Sequence, residues 1–357
     1  MTEVSWQQLI HPSEAVVVLG SLHAFLQDAK LERSKVKSVQ VIFDGKAHHA
    51  PFFDPWGERG VISLACYPDQ PAILYVATST NLLKVDLQKP EVVDLEIPNL
   101  RDIHELTVIG NTLWIANTQG DEAVAFDIVR ERVSERVNLA MYGSTPKVIA
   151  TAEDEDDARR EDDDRELVVD ERDVVDKFHC NQVFDGFNGD LYALVHYVLG
   201  NQLRVTQVAR RVARKVLRRQ ANGGVINLTT GQVVPLSLKG PHTVRKVRGE
   251  YWICDSANSQ VNVYDPNWTL KETISSKGWV RGADVSEPLG LYYMGISEFR
   301  RRYLAVNPTV QQVPNMVQAI SMETKAPVGE LRLSGVEQVT AVYVVPREVA
   351  LAMVELQ

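Results

Sequence analysis

Apolar residues in this chain occur in short segments in which apolar and polar positions alternate. Turn-forming pairs such as Gly-Asn, Thr-Gly and Asp-Pro separate these segments. Alternation with a period of two residues is typical of β-strands with one buried face. The segments are not joined by a regular series of helices, which the crossover connections of a parallel sheet would need. The pattern therefore predicts antiparallel meanders of short strands.

Four stretches of the chain repeat one plan, in which a His or Gly opens a short apolar segment and an aromatic residue leads the next strand. These stretches are 102–118, 177–196, 241–257 and 280–297. The intervals His104–Trp114, His242–Trp252 and Gly282–Tyr292 are each ten residues, and His179–Tyr192 is thirteen residues. Four-stranded meanders that recur in this way are typical of propeller blades. We therefore predict an all-β fold, a single β-propeller over residues 1–357, with six blades favoured and seven as the alternative.

The two ends of the chain lack complete blades of their own. The segment 14–22 supplies one early strand, and the segment 335–346 supplies one late strand. Pairing between them would close the ring and leave no exposed sheet edge. We expect these two strands to share a blade.

Two insertions interrupt the repeat. Residues 151–175 form an acidic insertion between two blades, and residues 204–222 form a basic insertion within one blade. In the basic insertion, Val208, Val212 and Val216 recur at a helical spacing. Both kinds of connection emerge on the same face of a propeller, so both insertions are expected over one mouth of the channel. Three interpretations stay open: solvated surface decoration, a salt-bridged lid, and a basic helix that docks on an anionic membrane surface.

The net charge of −9 arises in one segment, because residues 153–173 carry thirteen acidic side chains and four arginines. The rest of the chain is close to neutral, which argues against a nucleic acid partner. The acidic segment offers a site for a basic protein partner. No apolar run approaches the roughly 18 residues of a membrane span. The first residues do not resemble a secretory signal, so we expect a cytoplasmic protein.

The sequence also lacks the motifs of several common sites. Cys66, Cys180 and Cys254 are far apart and odd in number, which argues against a disulfide framework and against a zinc-thiolate site. The chain contains no G-x-S-x-G, G-x-G-x-x-G, P-loop or H-E-x-x-H motif. It therefore shows no signature of an organic cofactor.

Three histidines are the leading candidates for chemistry. His104, His179 and His242 each open the first strand of a blade, and first strands line the channel of a propeller, so the three imidazoles are expected to meet at one mouth. Three histidines are a known ligand set for a catalytic metal, and zinc, iron, manganese, nickel and copper are all open here. Without a metal, a histidine serves as a general acid or base.

Further polar residues are predicted near the same mouth. Asn181 lies two residues beyond His179 and should share its direction, whereas Glu105 and Cys180 should point away from the channel. Arg281 stands in the fourth repeat and would suit a carboxylate, sulfate or phosphate group. The far ends of the second strands add three candidates for ligand binding: Asn117, His196 and Asp255. An alternative interpretation is structural, since polar residues at the start of inner strands often tie one blade to the next.

These same segments resemble a known family. The chain is similar to an uncharacterised, mostly bacterial β-propeller family, a domain of unknown function, of which some members carry a tetratricopeptide-repeat label. The matching segments are DIHEL (102–106), HCNQ (179–182), PHT (241–243), WICDS (252–256), RG (281–282), GIS (295–297) and GVEQV (335–339). The resemblance implies a propeller and implies that the His, Arg-Gly and Asp-Ser positions belong to the family pattern. It implies no reaction.

Two functional hypotheses follow. The first is a metal-dependent lyase or hydrolase that acts on a small polar or anionic metabolite, with a divalent metal on the three histidines and Arg281 as the charge partner. Lactonases of the gluconolactonase type and streptogramin lyases offer an analogy at the level of the fold alone. The second is a non-catalytic scaffold that binds a ligand or a protein partner.

Overall fold

The structure is a computed structural model that describes residues 5–22, 29–54, 56–142, 177–198, 222–299 and 313–356. Its strands form six antiparallel sheets of four strands each, arranged as a six-bladed propeller. The predicted fold is confirmed, and the alternative of seven blades is wrong. The acidic insertion lies outside the described residues, and so does the basic insertion except for its last residue. No helix in the described part of the chain is long and apolar enough to span a membrane.

The blades follow the order of the chain, and each consists of a meander. Blade 1 contains β1 (Glu14–Ser21), β2 (Val39–Phe43) and β3 (Lys46–His49); blade 2 contains β4 (Ser63–Tyr67), β5 (Gln70–Ala77), β6 (Leu82–Asp86) and β7 (Glu91–Asp94); blade 3 contains β8 (Ile103–Ile109), β9 (Thr112–Asn117), β10 (Glu122–Asp127) and β11 (Arg132–Asn138). Blade 4 contains β12 (Cys180–Asp185), β13 (Leu191–Val195), β14 (Gly223–Asn227) and β15 (Val233–Leu238); blade 5 contains β16 (Pro241–Val247), β17 (Glu250–Asp255), β18 (Gln260–Tyr264) and β19 (Leu270–Ser275); blade 6 contains β20 (Trp279–Ser286), β21 (Leu291–Ser297), β22 (Met316–Ser321) and β23 (Pro327–Arg332). The last strand, β24 (Gln338–Pro346), returns to blade 1, and helix α1 (Arg347–Glu355) follows it.

The ring closes through the two ends of the chain. β24 is the inner strand of blade 1 and pairs antiparallel with β1, with Val17 opposite Tyr343 and Ser21 opposite Gln338. This pairing confirms the expectation for the early and late strands. Helix α1 then buries Met353 in the apolar cluster formed by β24, β1 and β2 of the same blade. The closed ring removes the free edges that an open sheet would present.

The aromatic residue that leads each second strand packs between neighbouring blades. Trp114 of blade 3 shares an apolar cluster with Val183 of blade 4. Trp252 of blade 5 lies 5.0 Å from Tyr292 of blade 6, measured between ring centroids. A large ring fills the wedge between two twisted sheets and buries much apolar area. The repeat in the sequence therefore reflects the packing of one blade on the next.

The inner strands all start at the same face of the ring. In blades 3 and 5 the start of the inner strand pairs with the end of the second strand, as Ile103 pairs with Asn117 and Pro241 with Asp255. The strands on either side of the two insertions also reach this face. β11 and β13 end there, and β12 and β14 start there. The mouth of the channel on this face carries the predicted site.

Candidate functional site

His104 and His242 lie at equivalent places in blades 3 and 5. Each follows the first residue of its inner strand, at a β-bulge where the register with the second strand shifts. Their ring centroids are 6.1 Å apart and the ring planes differ by 20°. The structure thus brings these two predicted histidines together across blade 4.

Hydrogen bonds fix the tautomer of His104. Its Nδ1 lies 2.8 Å from the hydroxyl of Thr118 and 3.0 Å from the carbonyl oxygen of Asp102. The Thr118 hydroxyl donates its one hydrogen to the carbonyl of Cys180, 2.5 Å away. Both neighbours of Nδ1 must therefore accept, so Nδ1 carries the proton and the neutral ring has its lone pair on Nε2.

His242 repeats this arrangement. Its Nδ1 lies 2.8 Å from the hydroxyl of Ser256 and 3.0 Å from the carbonyl oxygen of Gly240, and the Ser256 hydroxyl donates to the carbonyl of Val280. His104–Thr118 and His242–Ser256 are both separated by fourteen residues. The hydroxyl that orients each imidazole also ties its blade to the next one.

Blade 4 differs, and the expectation that His179 occupies the same position is wrong. Cys180 pairs with Val195 in the way that Ile103 pairs with Asn117, so Asn181 is the equivalent of His104. His179 stands two residues earlier, at a position of positive φ that Asp102 occupies in blade 3. The His179–Tyr192 interval is three residues longer than the His104–Trp114 interval. Two of these residues arise because His179 precedes the position equivalent to His104, and the third lies in the longer β12–β13 hairpin.

His179 and His196 nevertheless extend the cluster of rings at the mouth. The ring centroid of His179 lies 4.9 Å from that of His104 and 4.1 Å from that of His196. His196 lies in turn 5.3 Å from His242. Four imidazoles therefore form a continuous arc between blades 3 and 5.

A buried arginine of blade 6 completes the mouth. Arg281 is 4% exposed, and within the described residues no carboxylate lies at ion-pair distance from its guanidinium. Burial and the nearby charge of Arg59 lower the pKa of Arg281 to about 10, against the influence of Asp102 and Glu105. Arg59 is itself paired with Asp102 at 3.3 Å. Arg281 is thus the buried cation of this mouth that lacks a counterion among the described residues.

The charges also act on the ionisable groups of blade 3. Burial lowers the pKa of His104 well below its usual range, and the Asp102 carboxylate only partly offsets this effect. Burial opposes ionisation of Asp102, but His104 and Arg59 outweigh it and lower the pKa of this carboxyl. At neutral pH the His104 ring is therefore neutral, and its hydrogen bonds place its one proton on Nδ1.

A narrow cavity lies among these groups, with space for about one water molecule, about 10 Å³. It is lined by His104, Glu105, Asn181, His242, Thr243, Arg281, Thr340 and Ala341. Asn181 is 2% exposed, and its Oδ1 has no hydrogen-bond partner within the described residues. Only a single polar group of a larger ligand can enter this space.

Glu105 also lines the cavity, so the expectation that it points away from the channel is wrong. The bulge after Ile103 breaks the alternation of side chains and turns Glu105 inward. Its carboxylate accepts from Arg245 at 2.9 Å and from Thr243 at 3.1 Å, across the channel in blade 5. Arg245 also binds Asp284 at 3.2 Å. Cys180 does pack in the apolar cluster between blades 3 and 4, as predicted.

Two predicted ligand-binding residues, Asn117 and Asp255, do not line the cavity. The Oδ1 of Asn117 accepts from the backbone N–H of Arg101 at 2.7 Å, and Asp255 accepts from the N–H of Lys239 at 2.7 Å. Both side chains clamp the segment that enters the inner strand. For Asn117 and Asp255 these contacts support the structural interpretation, in which polar side chains stabilise the strands, over ligand binding.

The predicted metal site has an incomplete ligand set. In the part of the chain that the structure describes, no three side chains of His, Cys, Asp or Glu are placed to hold one metal ion. The fixed tautomers of His104 and His242 offer two Nε2 atoms, and the nearest acidic groups, Asp102 and Glu105, are paired with arginines. A three-histidine metal centre is thus not formed by these residues, and metal binding stays a prediction.

Sequence reasoning missed the partners of the candidate residues. Thr118 and Ser256 could have been found from their common interval of fourteen residues after His104 and His242. Arg59 and Arg245 gave no such signal, because their roles depend on which blades face each other across the channel.

Comparison with known proteins agrees with this fold. Residues 203–354 match the domain of unknown function (DUF4915). This match confirms, over the later part of the chain, the resemblance to a family whose function is unknown. No curated protein has a significantly similar sequence.

Solved structures show the same architecture at very low identity. A chain of the nidogen–laminin complex has a TM-score of 0.54 at 9% identity, over 92% of this chain and 98% of that chain. A protein of unknown function from Bacteroides caccae has a TM-score of 0.53 at 10% identity, over 93% of this chain and 99% of that chain. A virginiamycin B lyase from Staphylococcus aureus with quinupristin has a TM-score of 0.45 at 10% identity, over 77% of this chain and 70% of that chain. The first two of these likenesses show the propeller fold alone.

Proposed function

We propose that this protein binds a small anionic metabolite at the histidine-lined mouth, with one polar group of the ligand entering the cavity and Arg281 as its charge partner. The observation that carries the proposal is the burial of Arg281 without a carboxylate at ion-pair distance among the described residues. A buried charge without a partner costs several kcal/mol in general, and an incoming anion would remove that cost. Arginine also suits carboxylate and phosphate groups, because its guanidinium donates two parallel hydrogen bonds.

The second part of the proposal is proton transfer, as lyase and hydrolase reactions require. Thr118 and the carbonyl of Asp102 hold the proton of His104 on Nδ1, so Nε2 can accept a proton from a ligand beside Arg281. Burial keeps the ring neutral and ready to act as a base. The protonated His104 ring can then return this proton to the product, so one residue both accepts and donates it.

Titration calorimetry with acetate and inorganic phosphate tests the binding part. We expect saturable binding to the parent and its loss in Arg281→Met, which keeps the apolar stem and removes the charge. Arg132→Met is the matched control, since Arg132 is an exposed arginine on β11. Equal binding by the parent and Arg281→Met would contradict the proposal.

Catalysis is tested by incubation with lactones and 2-hydroxy acids, followed by NMR of the products. We expect conversion by the parent and none by His104→Gln, which retains a polar group but cannot accept the proton. A variant as active as the parent would exclude His104 as the base.

Two other interpretations have their own tests. A metal on His104, His179 and His242 predicts near-stoichiometric metal in untagged protein, and none in a folded His104→Ala/His179→Ala variant. Absence of metal from both proteins, after incubation with zinc, iron, manganese, nickel and copper, would rule out the metal interpretation.

The scaffold interpretation holds that residues 153–173, which lie outside the described residues, recruit a basic partner protein. It predicts that the full chain captures this partner and that capture ceases when the segment is deleted.

A further inference from the structure

The cavity offers an unused acceptor beside the cation. The Nδ2 of Asn181 donates to the carbonyl of Pro241 at 2.8 Å, and this bond fixes the orientation of the amide. The Oδ1 is therefore the free end, and it is buried without a hydrogen-bond partner in the described part of the chain. A buried acceptor of this kind lowers stability unless a donor reaches it.

His104 adds a second acceptor to the same cavity. Because its Nδ1 carries the proton, the Nε2 atom presents a lone pair. The cavity thus combines one unpaired charged donor, Arg281, with at least two neutral acceptors, and the Glu105 carboxylate that also lines it is already bound by Arg245 and Thr243. A plain anion such as acetate satisfies the donor only.

We infer that the natural ligand is a 2-hydroxy carboxylate, whose hydroxyl is the one group that enters the cavity and donates to Asn181, while its carboxylate stays at the mouth beside Arg281. This inference rests on the proposed function and adds the ligand class. An amino acid would present an ammonium group instead of the hydroxyl. The positive charge of Arg281 disfavours that cation, and the Asp102 carboxylate does not offset it because it already pairs with Arg59.

Calorimetric titration of the full chain with acetate, glycolate and glycine tests the inference. These probes differ only in the substituent next to the carboxylate. We expect glycolate to bind about fivefold more tightly than acetate, the effect of one net hydrogen bond, and glycine to bind more weakly than acetate.

Variants distinguish failure of this inference from failure of the proposed anion site. In Asn181→Ala the advantage of glycolate over acetate should disappear, whereas the control Asn267→Ala, in an exposed turn, should keep it. If Asn181→Ala does not fold, the three probes on the parent decide. Equal affinities for acetate and glycolate, both lost in Arg281→Met, would overturn the inference and leave the anion site intact. Binding of neither probe would overturn both.

Discussion

Two arginines in the channel, the partly buried Arg245 and the buried Arg281, differ in their electrostatic surroundings. Arg245 on β16 contacts the carboxylates of Glu105 and Asp284, and burial is outweighed by these charges, so its pKa is raised. Arg281 on β20 lies closer to the mouth, has no such contact among the described residues, and has its pKa lowered to about 10 by burial. The same residue type therefore serves two purposes in neighbouring inner strands.

The contrast distinguishes an arginine paired within the protein from one without a partner among the described residues. Arg245 joins blades 3, 5 and 6 across the channel, so its charge is compensated inside the protein. Arg281 has no carboxylate at ion-pair distance among the described residues, and we propose that an anionic ligand compensates its charge. The two arginines accordingly should respond in opposite ways to removal of charge.

Arg245→Met is expected to have the largest effect. Removal of the guanidinium leaves the buried Glu105 and the partly buried Asp284 without their cation, which costs about 3–5 kcal/mol of unfolding free energy. Urea denaturation measures this loss. The double variant Arg245→Met/Glu105→Gln should recover part of it, and a loss under about 1 kcal/mol in the single variant would remove the contrast with Arg281.

Thr118→Val is expected to come next. The substitution keeps the shape but removes the hydroxyl between His104 and the carbonyl of Cys180, at a cost of about 2 kcal/mol. Nitrogen-15 NMR of the His104 ring should show a mixture of tautomers. Thr118→Ser keeps the hydroxyl and should retain both the stability and the single tautomer; a single tautomer in Thr118→Val would show that the Asp102 carbonyl suffices.

Asp255→Asn tests a buried anion that has hydrogen bonds but no ion pair in the described residues. Burial raises the pKa of Asp255 to about 6, despite hydrogen bonds from Asn258 and the N–H of Lys239. Since the folded state binds this proton more tightly than the unfolded state, the carboxyl lowers stability above pH 6, and this loss disappears as the pH falls towards 4.

Asn117 shows that an amide can fill the equivalent position in blade 3. We therefore expect Asp255→Asn to be more stable than the parent by about 1 kcal/mol at pH 7.5 and no more stable at pH 4. Denaturation at the two pH values checks this. A gain that is equal at both would mean that Asp255 is ionised throughout.

Periodicity and spacing were enough to predict the architecture. Alternation gave the strands, the aromatic interval gave the blades, and the incomplete ends gave the pairing of β1 with β24. The site is predicted only in part, because the spacing of residues along the sequence does not reveal the strand register at each bulge. His179 was placed two residues out of position, and Glu105 was assigned to the wrong face because alternation was assumed to continue through the bulge after Ile103.

We propose above all that Arg281 binds the anionic group of an external ligand. The most direct test is the free energy of unfolding of the parent and of Arg281→Met, each with and without acetate at constant ionic strength. We predict that the variant is at least as stable as the parent without acetate, because it lacks the unpaired buried charge, and that acetate stabilises the parent alone. A variant destabilised as strongly as Arg245→Met, or stabilised by acetate to the same extent as the parent, would contradict the account.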